Sequence, residues 1–260
     1  MCGIAGVYGV NALRLSLMIT LAQINRGTRG TGLAWINHNR IKVLKEPIHP
    51  VKFFKKHYDR LEWKVKVAVA HNRQPSRGGV TYQNTHPFTD CKGRFALVHN
   101  GSCMFDNNIV SKIKREHMVL GETDSEIITH LLEDLYEEHG DMVSAIEALF
   151  DTDFSGAILV LTRDGKIYGA RDGVMPLHYC KTNTHVLLAS EASAIEAILD
   201  TNAKIEALKI QQIIEVDGGR IEIHGEGIEE APARYYYYPY AYASRRASSP
   251  YYPWYYDWED

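Results

Sequence analysis

The chain has 260 residues, of which 45% are apolar and 23% charged, and its formal net charge is −3. That length supports one large domain, or a domain with an appendage, built round a sizeable core. The near balance of charge excludes a global basic field for nucleic acid, and no stretch approaches the ~18 apolar residues of a membrane span.

In chain order, a strand-like run "CGIAGVYG" comes first, followed by Leu13, Leu17, Leu21 and Ile24 on one helical face. "GLAWI", "KVKVAVAH" and "FALVHNG" read as further strands. Two helical patterns follow, Ile127, Ile128, Leu131, Leu132 and Leu135, then Met142, Val143, Ile146, Leu149 and Phe150. "GAILVLTRDGKIYGARDG", "HVLLASE" and "QQIIEVDGGRIEIH" complete the strands, and the Asp-Gly pairs in "TRDGKIYGA" and "VDGGRIEIH" predict hairpins. Hairpins interleaved with helices predict an α+β fold of antiparallel sheets covered by helices, in preference to a doubly wound parallel sheet.

Composition changes abruptly near residue 230. Beyond Ala231 lie ten of the sixteen tyrosines and two of the four tryptophans, but no Leu, Ile, Val or Met. A normal core cannot be built from such a segment, so the expected division is a domain over 1–230 and a Tyr-rich tail over 231–260. Pro239, Pro250 and Pro253 oppose regular structure there, and Arg234, Arg245 and Arg246 are balanced by Asp257, Glu259 and Asp260, which argues against nucleic acid.

Cys2, Cys91, Cys103 and Cys180 form no CxxC pair and show no metal-ligand spacing with the twelve histidines. The expectation is a protein of a reducing cytoplasm with neither disulfide framework nor zinc site. Cys2 stands out. Removal of Met1 would leave a thiol and a free α-amine on one residue, and an amine of reference pKa ~7.7–8.0 can act as a base near neutral pH. Read alone, Cys2 is more often a small buried residue opening a strand.

Three other stretches bear chemistry. "VAHNRQPSRGG" puts His71 and Arg73 at the end of a strand before a polar loop, where an arginine can fork onto a carboxylate or simply pair at the surface. "FALVHNGS" runs into Asn100 and Gly101, either a plain turn or two donors converging on an oxyanion. "GETDSEI" places Asp124 behind Thr123 and ahead of Glu126, a capping-box spacing that also leaves a carboxylate able to hold an ammonium group.

Together these segments resemble the class II glutamine amidotransferase domain, an N-terminal-nucleophile hydrolase. The likeness runs through Cys-Gly-Ile, "RGTRGTG", His71-x-Arg73, "NTHPF", "LVHNG", "GETDSEI", "GAILVL", "ARDGVMPL" and "ASEASAI", over about residues 2–225. It implies a four-layer αββα sandwich of two antiparallel sheets. It also implies L-glutamine as substrate, Cys2 as nucleophile with its α-amine as base, and an oxyanion hole at Asn100 and Gly101. Arg73 would hold the substrate carboxylate and Asp124 its amine. His71, Ser76 and His86 fall at pocket-lining or structural positions, and Arg26 near the nucleophile. No cofactor or metal is implied.

Two segments depart from the family pattern. Gln74-Pro75-Ser76-Arg77 stands where an aromatic residue and Ala-Thr are usual, and Arg29, Gly30 and Thr31 replace acidic and small residues. The sequence contains no phosphate-cradling GxxxxGK[ST] and no Ser-Gly-Gly pyrophosphatase loop. The expectation is therefore a glutaminase subunit handing ammonia to a separate acceptor enzyme, with the aromatic tail as docking segment. A catalytically idle interaction module on the same fold is the alternative.

Overall fold

The computed structural model describes residues 1–101, 113–173, 175–199 and 203–229. Cys103 and the 231–260 tail, singled out in the sequence, lie outside these residues. Residues Met1–Glu229 make one compact unit.

Two sheets form the centre. The first contains β1 (Gly3–Gly9), β2 (Thr31–Asn37), β3 (Arg40–Glu46), β4 (Val67–Asn72), β9 (His178–Lys181), β10 (His185–Ala189) and β11 (Ile205–Ala207), in the order β11-β9-β10-β1-β4-β2-β3. The second contains β5 (Phe88–Thr89), β6 (Phe95–Gly101), β7 (Gly156–Thr162), β8 (Ile167–Asp172), β12 (Ile213–Asp217) and β13 (Arg220–His224), in the order β13-β12-β8-β7-β6-β5. The strand pairings described are antiparallel.

Helices cover the outer faces. Against the first sheet pack α1 (Ala12–Ala22), α2 (Pro50–His57) and α5 (Ala192–Glu196), burying Leu13, Leu17, Phe53 and Ile195 with Leu33 and Leu187. Against the second pack α3 (Asp124–His139) and α4 (Met142–Phe150), burying Ile128, Leu132, Ile146 and Leu149 with Phe95 and Val160. Between the sheets lies a third apolar layer that includes Ile4, Val69, Val98, Leu159 and Leu188. Three apolar layers require four structural layers, so the αββα sandwich is the observed architecture.

Local sequence accounts for the ends of these elements. Thr123 caps α3 by accepting the Glu126 N–H at 3.3 Å, and Gly140 ends the helix at φ 80° with its N–H on Tyr136 O. Glu126 does not reach back to complete a capping box. Its carboxylate instead takes the N–H groups of Leu120 and Gly121, at 2.8 and 2.7 Å. The β12–β13 hairpin turns on Gly218 and Gly219, at φ 58° and 81°, one residue beyond the Asp-Gly pair that signalled it. The apolar face of the first helix also ends early, because Ile24 belongs to a 3-10 turn over Ile24–Arg26. Among the described residues no helix is long and apolar enough to cross a membrane.

Candidate active site

Two strands, one from each sheet, deliver the chemistry. β1 runs between β10 and β4, and its register is held at the start by Ile4 N–H to Ser190 Oγ and Gln23 Nε2 to Ile4 O. That fixes the backbone immediately behind Cys2. β6 ends at Asn100-Gly101 in the opposing sheet. Gly101 has to be a glycine, since a Cβ there would lie 2.3 Å from Ser155 O and 2.4 Å from His99 Nε2.

The two strand ends meet across the sandwich. Cys2 N–H donates to Asn100 Oδ1 at 3.0 Å, which also settles the orientation of that amide. Asn100 is fully buried, and its Nδ2 has no hydrogen-bond partner among the described residues. A buried amide donor without a partner is costly to keep, so it marks a place where a ligand oxygen is expected.

The thiol is held by the loop after β4. Gln74 N–H points at Cys2 Sγ from 3.4 Å, and Sγ lies 3.5 Å from Gln74 O. Burial pushes the thiol pKa up; the Gln74 N–H, the positive chain terminus and Arg73 pull it down, and Asp124 adds to the rise. The net direction is upward, so the resting sulfur carries its proton and needs a base to become a thiolate. Arg26 fixes the other side, donating from Nε to Cys2 O at 2.8 Å while pairing with Glu191 at 3.2 Å.

Arg73 is buried and spans its own loop. Its Nη1 donates to Gly79 O at 2.8 Å, and its Nη2 to Arg77 O and Gly78 O at 2.8 and 3.3 Å. Its main chain is clamped to the glycine-rich segment by Arg73 N–H to Gly30 O and Arg29 N–H to Arg73 O. Gly27 allows that approach, since a Cβ there would meet Arg73 C at 2.7 Å. Asp124, buried at the first turn of α3, accepts the Ser125 N–H at 2.9 Å. It acts electrostatically on both Cys2 and Arg73, so these three groups share one neighbourhood.

Asn84 and Glu122 stitch the Arg73 loop to the segment before Asp124. Asn84 Nδ2 bridges Gly79 O and Glu122 Oε2 at 3.1 and 3.2 Å, while Glu122 N–H returns to Asn84 Oδ1 at 2.8 Å. A cavity of about 410 Å³ opens between Arg77 and Gly78 on one side and Gly121, Glu122 and Thr123 on the other. Neither Asn84 nor Glu122 was singled out from the sequence, although "NTHPF" and "GETDSEI" contain or border them. Glu191 and Ser125 carry no signal in the sequence likewise, because contacts to backbone or to a neighbouring side chain leave no spacing signature, and Gln74 stands out there only as a departure from the family pattern.

Cys2, Arg26, Arg73, Asn100, Gly101 and Asp124 thus come together. His71 and His86 stack beneath, with ring centroids 3.8 Å apart, and both are buried. His71 Nε2 faces His99 O at 3.0 Å, and burial holds its pKa down at about 3. His86 is pushed down by the same cause. They form a neutral aromatic pair, and neither they nor Cys2, Arg73, Asn100, Gly101 and Asp124 line the 410 Å³ cavity, which lies beside the site. Ser76 sits exposed on the loop.

A thiol, a buried cation–carboxylate pair and an unsatisfied donor beside the thiol are the parts of an acyl-transfer site. The family model for class-II glutamine amidotransferases matches residues 10–201. The chain belongs to this family. Among curated relatives, glutamine–fructose-6-phosphate aminotransferase of Aquifex aeolicus is 29% identical over 232 residues, covering 86% of this chain and 38% of that protein. Amidophosphoribosyltransferase of Methanothermobacter thermautotrophicus is 26% identical over 213 residues, covering 76% and 43%. This amidotransferase chain therefore spans less than half the length of those relatives.

Solved structures share the fold. Glutamine phosphoribosylpyrophosphate amidotransferase from B. subtilis superposes with TM-score 0.72 at 19% identity, over 86% of this chain and 49% of that one. A class-II domain protein from Silicibacter pomeroyi gives 0.59 at 15% identity, over 87% of this chain and all of that one.

Proposed function

We propose that the chain hydrolyses L-glutamine to glutamate and ammonia through a thioester on Cys2, after removal of Met1. The observation that carries this is the Asn100 amide, whose oxygen takes the Cys2 N–H and whose buried NH₂ is unpartnered among the described residues. Met1 is 69% exposed, open to an aminopeptidase.

In this reading Arg73 and Asp124 grip the α-carboxylate and α-ammonium of glutamine, which lowers the entropic part of the barrier. The carboxylate replaces carbonyls of residues 77–79 on the guanidinium, so binding rearranges the loop that also carries Gln74. The Cys2 α-amine takes the thiol proton as sulfur attacks the amide carbon. The oxyanion forms against Asn100 Nδ2 and the Gly101 region, and the proton passes to the departing nitrogen as the C–N bond breaks. Water then adds to the thioester, releasing glutamate and restoring the thiol.

The ammonia passes to a separate acceptor enzyme in this proposal, with the Tyr-, Trp- and Arg-rich residues 231–260 as the docking segment. Support for the docking is compositional. A glutaminase assay on protein lacking Met1, beside Cys2→Ala and a chain truncated after Glu229, tests both parts. Glutamate release by the parent and none by Cys2→Ala is expected. Absence of hydrolysis with acceptor enzymes supplied would favour the idle-module reading, and truncation should abolish co-purification of the acceptor while sparing hydrolysis.

A further inference from the structure

A second cluster lies away from the thiol, and its residues show no ligand spacing in the sequence. Cys91 follows β5, His117 lies in the segment ahead of α3, and His130 and Glu133 stand three residues apart on α3. Each offers one ligand atom, and the four atoms lie within 4.8 Å of one another.

The distances within the cluster are informative. Cys91 Sγ is 3.5 Å from His117 Nδ1 and 3.7 Å from His130 Nδ1. Glu133 Oε2 is 3.1 Å from His117 Nδ1 and 3.3 Å from His130 Nδ1. Tetrahedral zinc, with bonds of about 2.3 Å to sulfur and about 2.0–2.1 Å to nitrogen or oxygen, demands edges of roughly 3.5 Å for S to N and roughly 3.3 Å for N to O. These four of the six edges agree to within about 0.2 Å, and the other two lie within 4.8 Å. As a hydrogen-bond network the arrangement is poor, because the two imidazoles and the Cys91 N–H, 3.0 Å away, all converge on one carboxylate oxygen.

We propose that Cys91 Sγ, His117 Nδ1, His130 Nδ1 and Glu133 Oε2 bind one zinc(II) ion. A thiolate and a carboxylate neutralise its two charges, and a mixed S, N and O set at tetrahedral spacing suits zinc above magnesium or calcium. The surroundings fit as well. His117 turns its other nitrogen to Asp134 Oδ1 at 3.2 Å, the carboxylate partner that orients a ligating imidazole. The His117, His130 and Glu133 side chains are 3–4% exposed, whereas Cys91 is exposed on the turn after β5. Cys91 and His130 line a cavity of about 420 Å³ that also touches Lys45, Tyr82 and Glu126, which gives the ion a way in.

Four protein ligands make a closed, structural site. It ties the turn after β5 to α3 and to the segment that ends on Leu120 and Gly121, whose N–H groups Glu126 already holds. That segment continues directly into Thr123 and Asp124. The zinc therefore braces the strand-to-helix connection on which Asp124 stands, without touching substrate.

The test is a metal titration of reduced, chelator-stripped protein in a Cys2→Ala background, which removes the other accessible described thiol. Cobalt(II) should bind at one equivalent with a thiolate charge-transfer band and tetrahedral visible absorption, and zinc should displace it. Cys91→Ser should lose the charge-transfer band, and Asp134→Asn should weaken binding by about 10–100-fold. Zinc should raise Tm in the parent and not in Cys91→Ser. Failure of the parent to bind one equivalent of cobalt would overturn the site, whether or not any variant folds. A band unchanged in Cys91→Ser would equally overturn it.

Discussion

The two halves of the candidate active site are built differently. Cys2 adjoins β1, which is paired with β10 and β4, and Asn100 lies on β6, paired along its length with β7, and one 3.0 Å hydrogen bond joins them across the sandwich. Arg73 and Asp124 instead stand where a strand gives way to a loop and a loop to a helix. Their positions depend on side chains, Asn84 and Glu122, holding loop carbonyls and amides together. In the proposed reaction the chemistry is mounted on paired strands, and recognition on loop segments whose carbonyls on Arg73 a bound glutamine would displace.

That contrast predicts how variants divide. Cys2→Ala should cut glutamine hydrolysis by about 10⁴-fold or more with the fold intact, measured as glutamate release alongside circular dichroism. Asn100→Ala should lower kcat by about 10²–10³-fold with little change in KM, because the lost donor matters in the transition state. Asp124→Asn should act mainly on KM, by about 10–100-fold, as expected for loss of one charge-assisted bond to an ammonium. A kcat effect at Asp124 as large as at Asn100 would erase the distinction. Glu122→Gln, which weakens the stitch without removing a proposed substrate contact, should raise KM by a few-fold and leave kcat within about twofold.

Beneath both halves lies the neutral histidine pair, and it makes a pH prediction. His71 is held at about 3, chiefly by burial, against a partial rise from its hydrogen bond to the His99 backbone and with further lowering by the charges of His99, Arg73 and Lys45, whereas an unfolded histidine titrates near ~6.5. Between those values the unfolded chain binds a proton that the native state refuses. Stability present above the unfolded pKa is therefore lost as pH falls through this window, by about 1.4 kcal/mol per pH unit for one such group. His86 shifts in the same direction. Urea midpoints between pH 7 and pH 5 should show the loss, and a folded His71→Asn variant should show a shallower slope.

How much of this was legible in the sequence follows from where each signal resides. The strands and helices built on Ile4, Leu17, Val98, Leu132 and Leu159 announce themselves by apolar period, and every one of those residues is buried. β3 escapes the reading because its Arg40-Ile41-Lys42-Val43 alternation is short and is broken by Leu44 and Lys45, on an edge strand. β9 and β11 are too short for a period to register. At the site, Cys2, Arg73, Asn100 and Asp124 stood out by resemblance, whereas Asn84, Glu122 and Glu191 act only through contacts that folding creates. The Cys91 cluster was illegible for the same reason: it draws ligands from three segments, and only His130 and Glu133 lie on one helical face.

The central claim is that Cys2, freed at its amine, attacks glutamine. Rapid quenching of protein lacking Met1 with glutamine, followed by peptide mass analysis, tests it directly. The account predicts a transient γ-glutamyl group on the peptide beginning at Cys2, formed more slowly in Asn100→Ala and absent when Met1 is retained. Glutamate formation at full rate with Met1 still attached, or with the label on another residue, would contradict it.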